Sequence, residues 1–281
     1  MTASQSNAPG LIVTADDFGL HDSVNAAVER AHRDGILSAT SLMVGSPAAL
    51  DAAARARALP SLRVGLHLVL ADGAPTLPPQ AIPDLVGLDG RFGSHMARDG
   101  VRFFFLPHVR RQLAAEIRAQ FEAFAATGLP LDHVNAHKHF HLHPTVLSLM
   151  LSIGREFGLR AVRLPMESTV PAWLRPWMLL LRARLRAAGV AHNDYIVGLQ
   201  LSGRFDEEAL LNALGALPPH GVGELYLHPA LDSGAAIAPS MIGYRHRDEF
   251  AALVSPRVAH ARERLRAQGF RFGGFSDLLA A

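Results

Sequence analysis

Five histidines occur within eleven residues of this chain, and their spacing is the first feature that points to chemistry. All of them have odd numbers: His133, His137, His139, His141 and His143. In an extended strand, residues of one parity point to one face, and neighbours two positions apart are separated by about 7 Å. A metal-bound imidazole nitrogen lies about 2 Å from the ion, so one ion could bind only one or two of these side chains. We therefore predict a groove in which one or two of these histidines bind a metal and the others line the surface.

Two other predicted strands carry side chains that could complete such a site. Asp16 and Asp17 follow the apolar run 11–15, and His67 lies in the apolar run 64–70. The carboxyl ends of parallel strands meet at one edge of an α/β fold, where functional loops lie. One carboxylate and two imidazoles suit zinc or another divalent ion, and open coordination positions would activate water for hydrolysis. The second aspartate is not needed as a metal ligand in this arrangement.

Two further residues fit the same edge. His228 ends the strand-like run 224–228 and could supply a general acid. Arg163 lies in the strand-like segment 161–165 and needs a carboxylate partner if it is buried, for which Asp16 is available.

The elements that must position these residues alternate between strands and helices. Predicted strands cover 11–15, 39–44, 64–70, 134–141, 161–165, 195–200, 224–228 and 270–273, and predicted helices begin near 22, 47, 109, 145, 207 and 258. Seven or eight such units without a sequence repeat favour a single-domain (β/α) barrel over residues 1–281, with a doubly wound sheet as the alternative. Residues 1–10 are predicted to form a disordered tail.

Two segments do not fit this alternation. The stretch 71–107 is rich in Pro and Gly and is long for a connection, which indicates a lid or substrate loop after the third strand. Its Phe103–Phe105 run either serves that loop or packs into the core. Residues 173–186 form a hydrophobic helix with four arginines, which either lies on an anionic membrane surface or is an ordinary barrel helix with a solvated arginine face.

Composition excludes several classes of protein. The 281 residues are 49% hydrophobic and 19% charged, which is typical of a globular chain and not of a disordered one. The absence of cysteine excludes disulfides, thiolate metal sites and a cysteine nucleophile. A net charge of +2 without a basic block argues against nucleic acid as a partner. The first residues lack the features of a signal peptide and no apolar run could span a bilayer, so we expect a cytoplasmic protein.

Several of these motifs, in this order along the chain, resemble the YdjC-like carbohydrate deacetylase family, which includes the chito-oligosaccharide deacetylases. The matching segments are Thr14-Ala-Asp-Asp-Phe-Gly-Leu, Gly65-Leu-His, the histidine block 133–141 and His228-Pro-Ala. The resemblance implies a barrel-like α/β fold, one divalent ion (zinc or magnesium) held by Asp17, His67 and His137, and hydrolysis of an N-acetyl group on an amino sugar.

On that basis we expect Asp16 to accept a proton from water and His228 to protonate the leaving amine, with Arg163 holding Asp16 ionised. The candidate substrate contacts lie outside this set: His139, His141, Phe104 and Glu167. A metal-dependent phosphoesterase or amidohydrolase on a similar barrel is the rival enzyme class, although no phosphate cradle is evident. A sugar-binding or lipid-binding protein without activity is a third hypothesis. That hypothesis predicts that the acid and base residues are replaced, whereas Asp16, Asp17 and His228 are all present.

One departure bears on the substrate. Chito-oligosaccharide members carry Asp two residues before the first histidine ligand, where this chain has Asn135. The sequences around Asn135 and in the segment 68–75 resemble the hopanoid-biosynthesis-associated (HpnK) subgroup more than the chito-oligosaccharide members. That resemblance implies an N-acetylglucosaminyl hopanoid substrate and would give the 173–186 helix a role in peripheral membrane contact. The oligomeric state stays open, with a dimer as one option.

Overall fold

Seven parallel strands form the centre of the molecule. The computed structural model describes residues 8–167, 171–232 and 237–279. The strands are β1 (Gly10–Phe18), β2 (Ala39–Leu42), β3 (Arg63–Leu68), β4 (Val134–Ala136), β5 (Tyr195–Val197), β6 (Val222–Leu227) and β7 (Arg271–Phe272). They are ordered β4-β3-β2-β1-β6-β5, and β7 pairs with the start of β1. Every residue of β1 is buried, as expected for a parallel strand that is covered on both faces.

The two edges of this sheet are connected through the segment 161–166. Val134 N donates to the carbonyl of Ala161, and Val162 N donates to that of Ala191. Further along, Ile196 N in β5 donates to the carbonyl of Met166. The sheet therefore curls into a barrel-like shape with one irregular side, which confirms the predicted α/β barrel. The predicted strand 161–165 is reduced to isolated bridges at residues 161 and 162.

Helices surround the sheet. They are α1 (Asp22–Asp34), α2 (Ala49–Arg57), α3 (Met96–Phe105), α4 (Pro107–Ala126), α5 (Pro144–Gly154), α6 (Arg175–Ala187), α7 (Glu207–Gly215), α8 (His246–Leu253), α9 (Pro256–Ala267) and α10 (Phe275–Leu278). Three of them were missed from the sequence: α8, α10, and α3 within the stretch predicted to be irregular. None of the described helices is both long and apolar enough to cross a membrane.

The histidine block does not continue as a strand, so the prediction of a strand over 134–141 was right only for Val134–Ala136. β4 ends at Ala136, and a 3-10 turn over His137–Leu142 follows. Within this turn Lys138 and His139 have left-handed backbones, with φ of 54° and 55°. Since a left-handed pair reverses the chain direction, residues beyond Ala136 no longer share one face, and the parity argument fails for them.

The terminal and loop predictions have mixed outcomes. Residues 1–7 of the predicted tail lie outside the described residues, and Gly10 already belongs to β1. Within the predicted loop 71–107, Phe103 is buried on α3, whereas the rings of Phe104 and Phe105 are exposed by 47% and 69%. The phenylalanine run therefore divides between core and surface.

Candidate active site

The consecutive residues Asp16 and Asp17 face one site because β1 is irregular where it ends. The register of β1 against β2 shifts between Ala15 and Phe18, which gives β1 one extra residue. Asp17 also has a left-handed backbone with φ of 65°. Successive side chains of a regular strand point to opposite faces. Because of this bulge, both aspartates face His67. His67 Nδ1 is 4.0 Å from Asp16 Oδ1, and His67 Nε2 is 3.3 Å from Asp17 Oδ1.

Asp17, His67 and His137 converge as a buried group that could hold a metal ion. One ligand atom from each lies within 4.8 Å of the others. His137 Nδ1 is 3.2 Å from Asp17 Oδ1 and 3.4 Å from His67 Nε2. Both Asp17 oxygens are buried and lack an aligned hydrogen-bond donor among the described residues. Burial would raise the pKa of Asp17, but His137 and His67 outweigh it and hold that pKa well below its usual value.

An unsatisfied buried carboxylate opposite two imidazole nitrogens fits a divalent cation. A buried polar atom without a partner is costly and calls for a specific explanation, such as an ion. Two imidazoles and one carboxylate form a donor set typical of zinc sites that keep open positions. These three residues could therefore bind a divalent ion.

Asn135 fixes the orientation and tautomer of His67. Asn135 Nδ2 donates to Asp16 Oδ1 at 3.1 Å, so Asn135 Oδ1 must accept from His67 Nδ1–H at 2.6 Å. Nδ1 therefore carries a proton, and Nε2 is the ring nitrogen directed at Asp17 and His137. Such outer partners commonly orient metal-binding histidines. Ser41 Oγ also donates to Asp16 Oδ1, at 2.7 Å.

A fully buried ion-pair network holds Asp16. Arg163 donates to both Asp16 oxygens, at 2.5 and 2.9 Å, and to both Glu224 oxygens, at 2.7 and 2.9 Å. Thr14 donates to Glu224, and the Tyr226 ring lies under the guanidinium at 4.9 Å. Burial would raise the pKa of Asp16, but Arg163 outweighs it and holds that pKa well below its usual value. Asp16 is therefore ionised, and the expected Arg163–Asp16 contact is present.

Replacing Arg163 with Met should destabilise the fold strongly at neutral pH. The change leaves Asp16 and Glu224 as unpaired buried carboxylates, which costs about 3–5 kcal/mol. In the native protein the folded-state pKa of Asp16 lies below the unfolded value, so this stabilisation is present above about pH 4 and is lost as the pH falls through the folded-state pKa. The gap in unfolding free energy between native protein and variant should therefore narrow on acidification. Urea unfolding at pH 7 and at acidic pH, with chelator present, measures this gap.

The exposed Arg118–Glu156 pair supplies the control for that measurement. Arg118→Met removes a surface ion pair and should leave the unfolding midpoint nearly unchanged at both pH values. An equal loss for Arg163→Met at neutral and acidic pH would contradict the buried-carboxylate explanation.

His228 lies beside the metal-binding group on the opposite side from β2 and β3. Its Nε2 is 4.0 Å from Asp17 Oδ2, and its Nδ1 is buried without a hydrogen-bond partner among the described residues. Burial lowers the pKa of His228, while Asp17 and Asp16 oppose that effect. From α8, Glu249 accepts from the His228 backbone N–H at 2.5 Å and His246 Nδ1 donates to its carbonyl at 2.5 Å. This backbone clamp sets the position of the imidazole.

The other histidines of the block separate into distinct environments. His141 Nε2–H donates to the carbonyl of Arg163 at 2.9 Å, and burial lowers its pKa to about 3, so it is neutral. The ring of His139 packs edge-on against Tyr226, with centroids 5.6 Å apart. His133 bonds to Asp132 at the start of β4 and lies outside the site. Whether His139 and His141 contact substrate stays a prediction.

The remaining candidate substrate contacts lie on other elements. Phe104 is half-exposed on α3 and packs against Phe105. Glu167 accepts a hydrogen bond from the backbone of Gly198, after β5. Neither placement tests a role in substrate binding.

A cavity of about 340 Å³ opens beside His137. Its walls are residues of the 72–94 segment, with Asp72 and Arg91, and residues 237–241. Asp72 is ion-paired to Lys138, the neighbour of His137. The cavity mixes charged, hydroxyl and apolar side chains.

Sequence reasoning missed Ser41, Glu224 and Glu249. The signal for Glu224 was available, because it is the lone acid in the apolar run 222–227 and a buried arginine needs compensation. Ser41 and Glu249 carried no comparable signal, since their roles depend on which strands and helices adjoin.

Comparison with known proteins agrees with this fold. The profile of a family described as YdjC-like protein matches residues 10–264. A carbohydrate deacetylase of Brevibacillus brevis is 29% identical over 274 residues, covering 95% of this chain and 99% of that protein. A chitooligosaccharide deacetylase of Yersinia pestis is 31% identical over 271 residues, covering 95% and 98%. A crystal structure of a candidate cellobiose-phosphate cleavage protein of Enterococcus faecalis superposes with a TM-score of 0.77 at 25% identity, covering 98% and 100%.

Fold and site together define an α/β barrel protein with a buried Asp-His-His group at the carboxyl ends of its strands. The chain belongs to the YdjC-like family, as its sequence motifs indicated.

Proposed function

We propose that this protein is a metal-dependent deacetylase that hydrolyses the N-acetyl group of an amino sugar to a free amine and acetate. The observation that carries the proposal is the Asp17 carboxylate, whose two buried oxygens lack aligned donors and face two imidazoles. The names of the Brevibacillus and Yersinia relatives support the reaction class. The intact acid-base positions argue against a binding protein without activity.

Asp17, His67 and His137 would hold the ion. A divalent ion bound there supplies a Lewis acid that polarises an amide carbonyl and makes water more acidic. The two imidazoles favour zinc over magnesium, which prefers oxygen ligands. Asn135 keeps His67 Nε2 directed at this position, and the low pKa of Asp17 keeps that ligand ionised.

Asp16 and His228 would move the protons. Asp16 Oδ1 accepts from Ser41, Asn135 and Arg163, whereas Oδ2 accepts only from Arg163 among the described residues. Oδ2 is therefore the atom with room to accept the proton of the attacking water. His228 Nε2, on the other side of Asp17, would donate its proton to the leaving nitrogen as the C–N bond breaks. Burial lowers the pKa of His228, and the Asp17 and Asp16 charges offset part of that effect, so they support the protonated imidazole that this step requires.

For the substrate we propose an N-acetylglucosaminyl hopanoid. The support is Asn135 at the position where chito-oligosaccharide members carry Asp, and the mixed polar and apolar lining of the cavity beside His137. The chito-oligosaccharide alternative is favoured by the Yersinia relative, whose name specifies that substrate.

Acetate release by the zinc-loaded protein tests both substrates side by side. We expect release from the N-acetylglucosaminyl hopanoid and much slower release from diacetylchitobiose. Release from the chito-sugar alone would retain the deacetylase and reject the lipid. No acetate from either, with metal bound at one equivalent, would reject the proposed reaction.

A further inference from the structure

The outward side of α6 is apolar although it is exposed. Trp173, just before the helix, is exposed by 77%, and Leu179 and Leu180 are exposed by 56% and 50%. Met178 and Leu181 on the inner side are buried. A helix that only covers a barrel would present polar residues outward. The outward side of this helix therefore carries exposed apolar groups in addition to the arginine face of the simpler sequence interpretation.

The same segment is strongly basic. Its four arginines are all at least partly exposed: Arg175, Arg182, Arg184 and Arg186. No acidic residue occurs between Glu167 and Asp194. Arg184 donates to the hydroxyl of Ser148, and Arg182 donates to the backbone carbonyl of Asp194. An apolar row with guanidinium groups on the same helix, in a stretch of sequence without acidic residues, is complementary to an anionic, partly apolar surface.

A second exposed apolar row lies on α3. Val101, Phe104 and Phe105 are exposed by 60%, 47% and 69%. Their spacing of three and four residues places Val101 on the same side of the helix as the two rings. Large exposed apolar groups that cluster on one face mark interaction sites.

Both helices pack on the turn that carries His137. From α3, buried Phe103 contacts Phe140, with ring centroids 5.3 Å apart. From α6, Trp177 Nε1 donates to the carbonyl of Leu142 at 3.2 Å. The two helices that carry the apolar rows therefore adjoin the His137–Leu142 turn, which begins at the metal-ligand candidate His137.

We infer that α3 and α6 form a docking surface for the headgroup region of an anionic lipid bilayer. Trp173 and the two leucines would enter the interface while the arginines contact lipid phosphates. A second copy of this chain fits less well, because an α6 pair across a two-fold axis would bring the same arginines together. Docking by itself is independent of catalysis. Only its consequence, access of a lipid-borne amino sugar to His137, rests on the proposed function.

Vesicle co-sedimentation of the full-length protein tests the docking surface. The protein should bind vesicles that contain phosphatidylglycerol, bind pure phosphatidylcholine vesicles far less, and dissociate at high salt. Leu179→Glu with Leu180→Glu should reduce binding about tenfold. Because both positions are exposed, thermal stability and acetate release from a water-soluble N-acetyl sugar should be unchanged, which separates a failure of docking from a failure of the proposed reaction.

Leu50→Glu is the matched control, since Leu50 is 87% exposed on α2. It should bind vesicles like the native protein. Absence of binding to anionic vesicles would overturn the inference, as would equal binding by the double variant. Dimers that the double variant abolishes, without vesicle binding, would assign the surface to self-association instead.

Discussion

Replacing Asp16 with Asn is expected to abolish most acetate release while the protein still binds its metal. Asn is nearly isosteric and can keep the Oδ1 contacts with Ser41 and one Arg163 N–H. Its Nδ2 replaces the oxygen that accepts the second Arg163 N–H, and it cannot accept the proton from water. Loss of a general base typically reduces turnover by about 10²–10⁴-fold. Metal content and kcat measured on the same preparation give both quantities.

The adjacent aspartate provides the comparison. Asp17→Asn should lose metal as well as activity, because Asp17 supplies the only carboxylate of the Asp-His-His group. Near-native turnover by Asp16→Asn would reject its role as base, and loss of metal from that variant would mean that the roles of the two aspartates are not separate.

His67→Ala and His137→Ala are each expected to lose both metal binding and activity. Each removes a ligand, and removal of an outer-shell partner alone costs about 10–100-fold in metal affinity, so the loss here should exceed that range. Isothermal titration with zinc measures the affinity directly. Thermal unfolding with and without zinc should show a metal-dependent shift in the native protein and in neither of these two variants.

His143→Ala is the control for these two variants. His143 belongs to the same histidine block but packs against Phe103, away from the Asp-His-His group. It should retain zinc binding. If His67→Ala or His137→Ala bound zinc as tightly as the native protein, the ligand assignment would be wrong.

The convergence of the site could be predicted from sequence because it follows from topology. Asp16, His67 and His228 end strands that run parallel, and such ends must meet at one edge of the barrel. The need of a buried Arg163 for a carboxylate likewise follows from the cost of an unpaired charge, and the structure places Asp16 against it.

The local backbone could not be predicted in this way. A strand period places Asp16 and Asp17 on opposite faces, and only the bulge in β1 with the left-handed Asp17 brings them together. The left-handed pair Lys138 and His139 likewise separates His137 from the histidines that follow. Non-glycine residues in this conformation carry a strain of about 1–3 kcal/mol that surrounding contacts must offset. The periodicity of the sequence does not predict those contacts.

Tertiary contacts determine two further features that the sequence did not predict: the second partner of Arg163 and the exposed side of the 173–186 helix. Glu224 shares Arg163 with Asp16 because β6 lies beside β1, a pairing that spans more than two hundred residues of chain. The character of the 173–186 helix depended on which side faces the barrel, and the structure turns Leu179 and Leu180 outward.

The most direct test of the central claim is a zinc titration of the chelator-treated protein in which acetate release from an N-acetylglucosaminyl substrate is followed at each step. The account predicts that activity rises linearly and reaches a plateau at one zinc per chain, with no rise in the Asp17→Asn variant. Acetate release that is already complete in the metal-free protein, or that ignores added zinc while zinc binds at one equivalent, would contradict it.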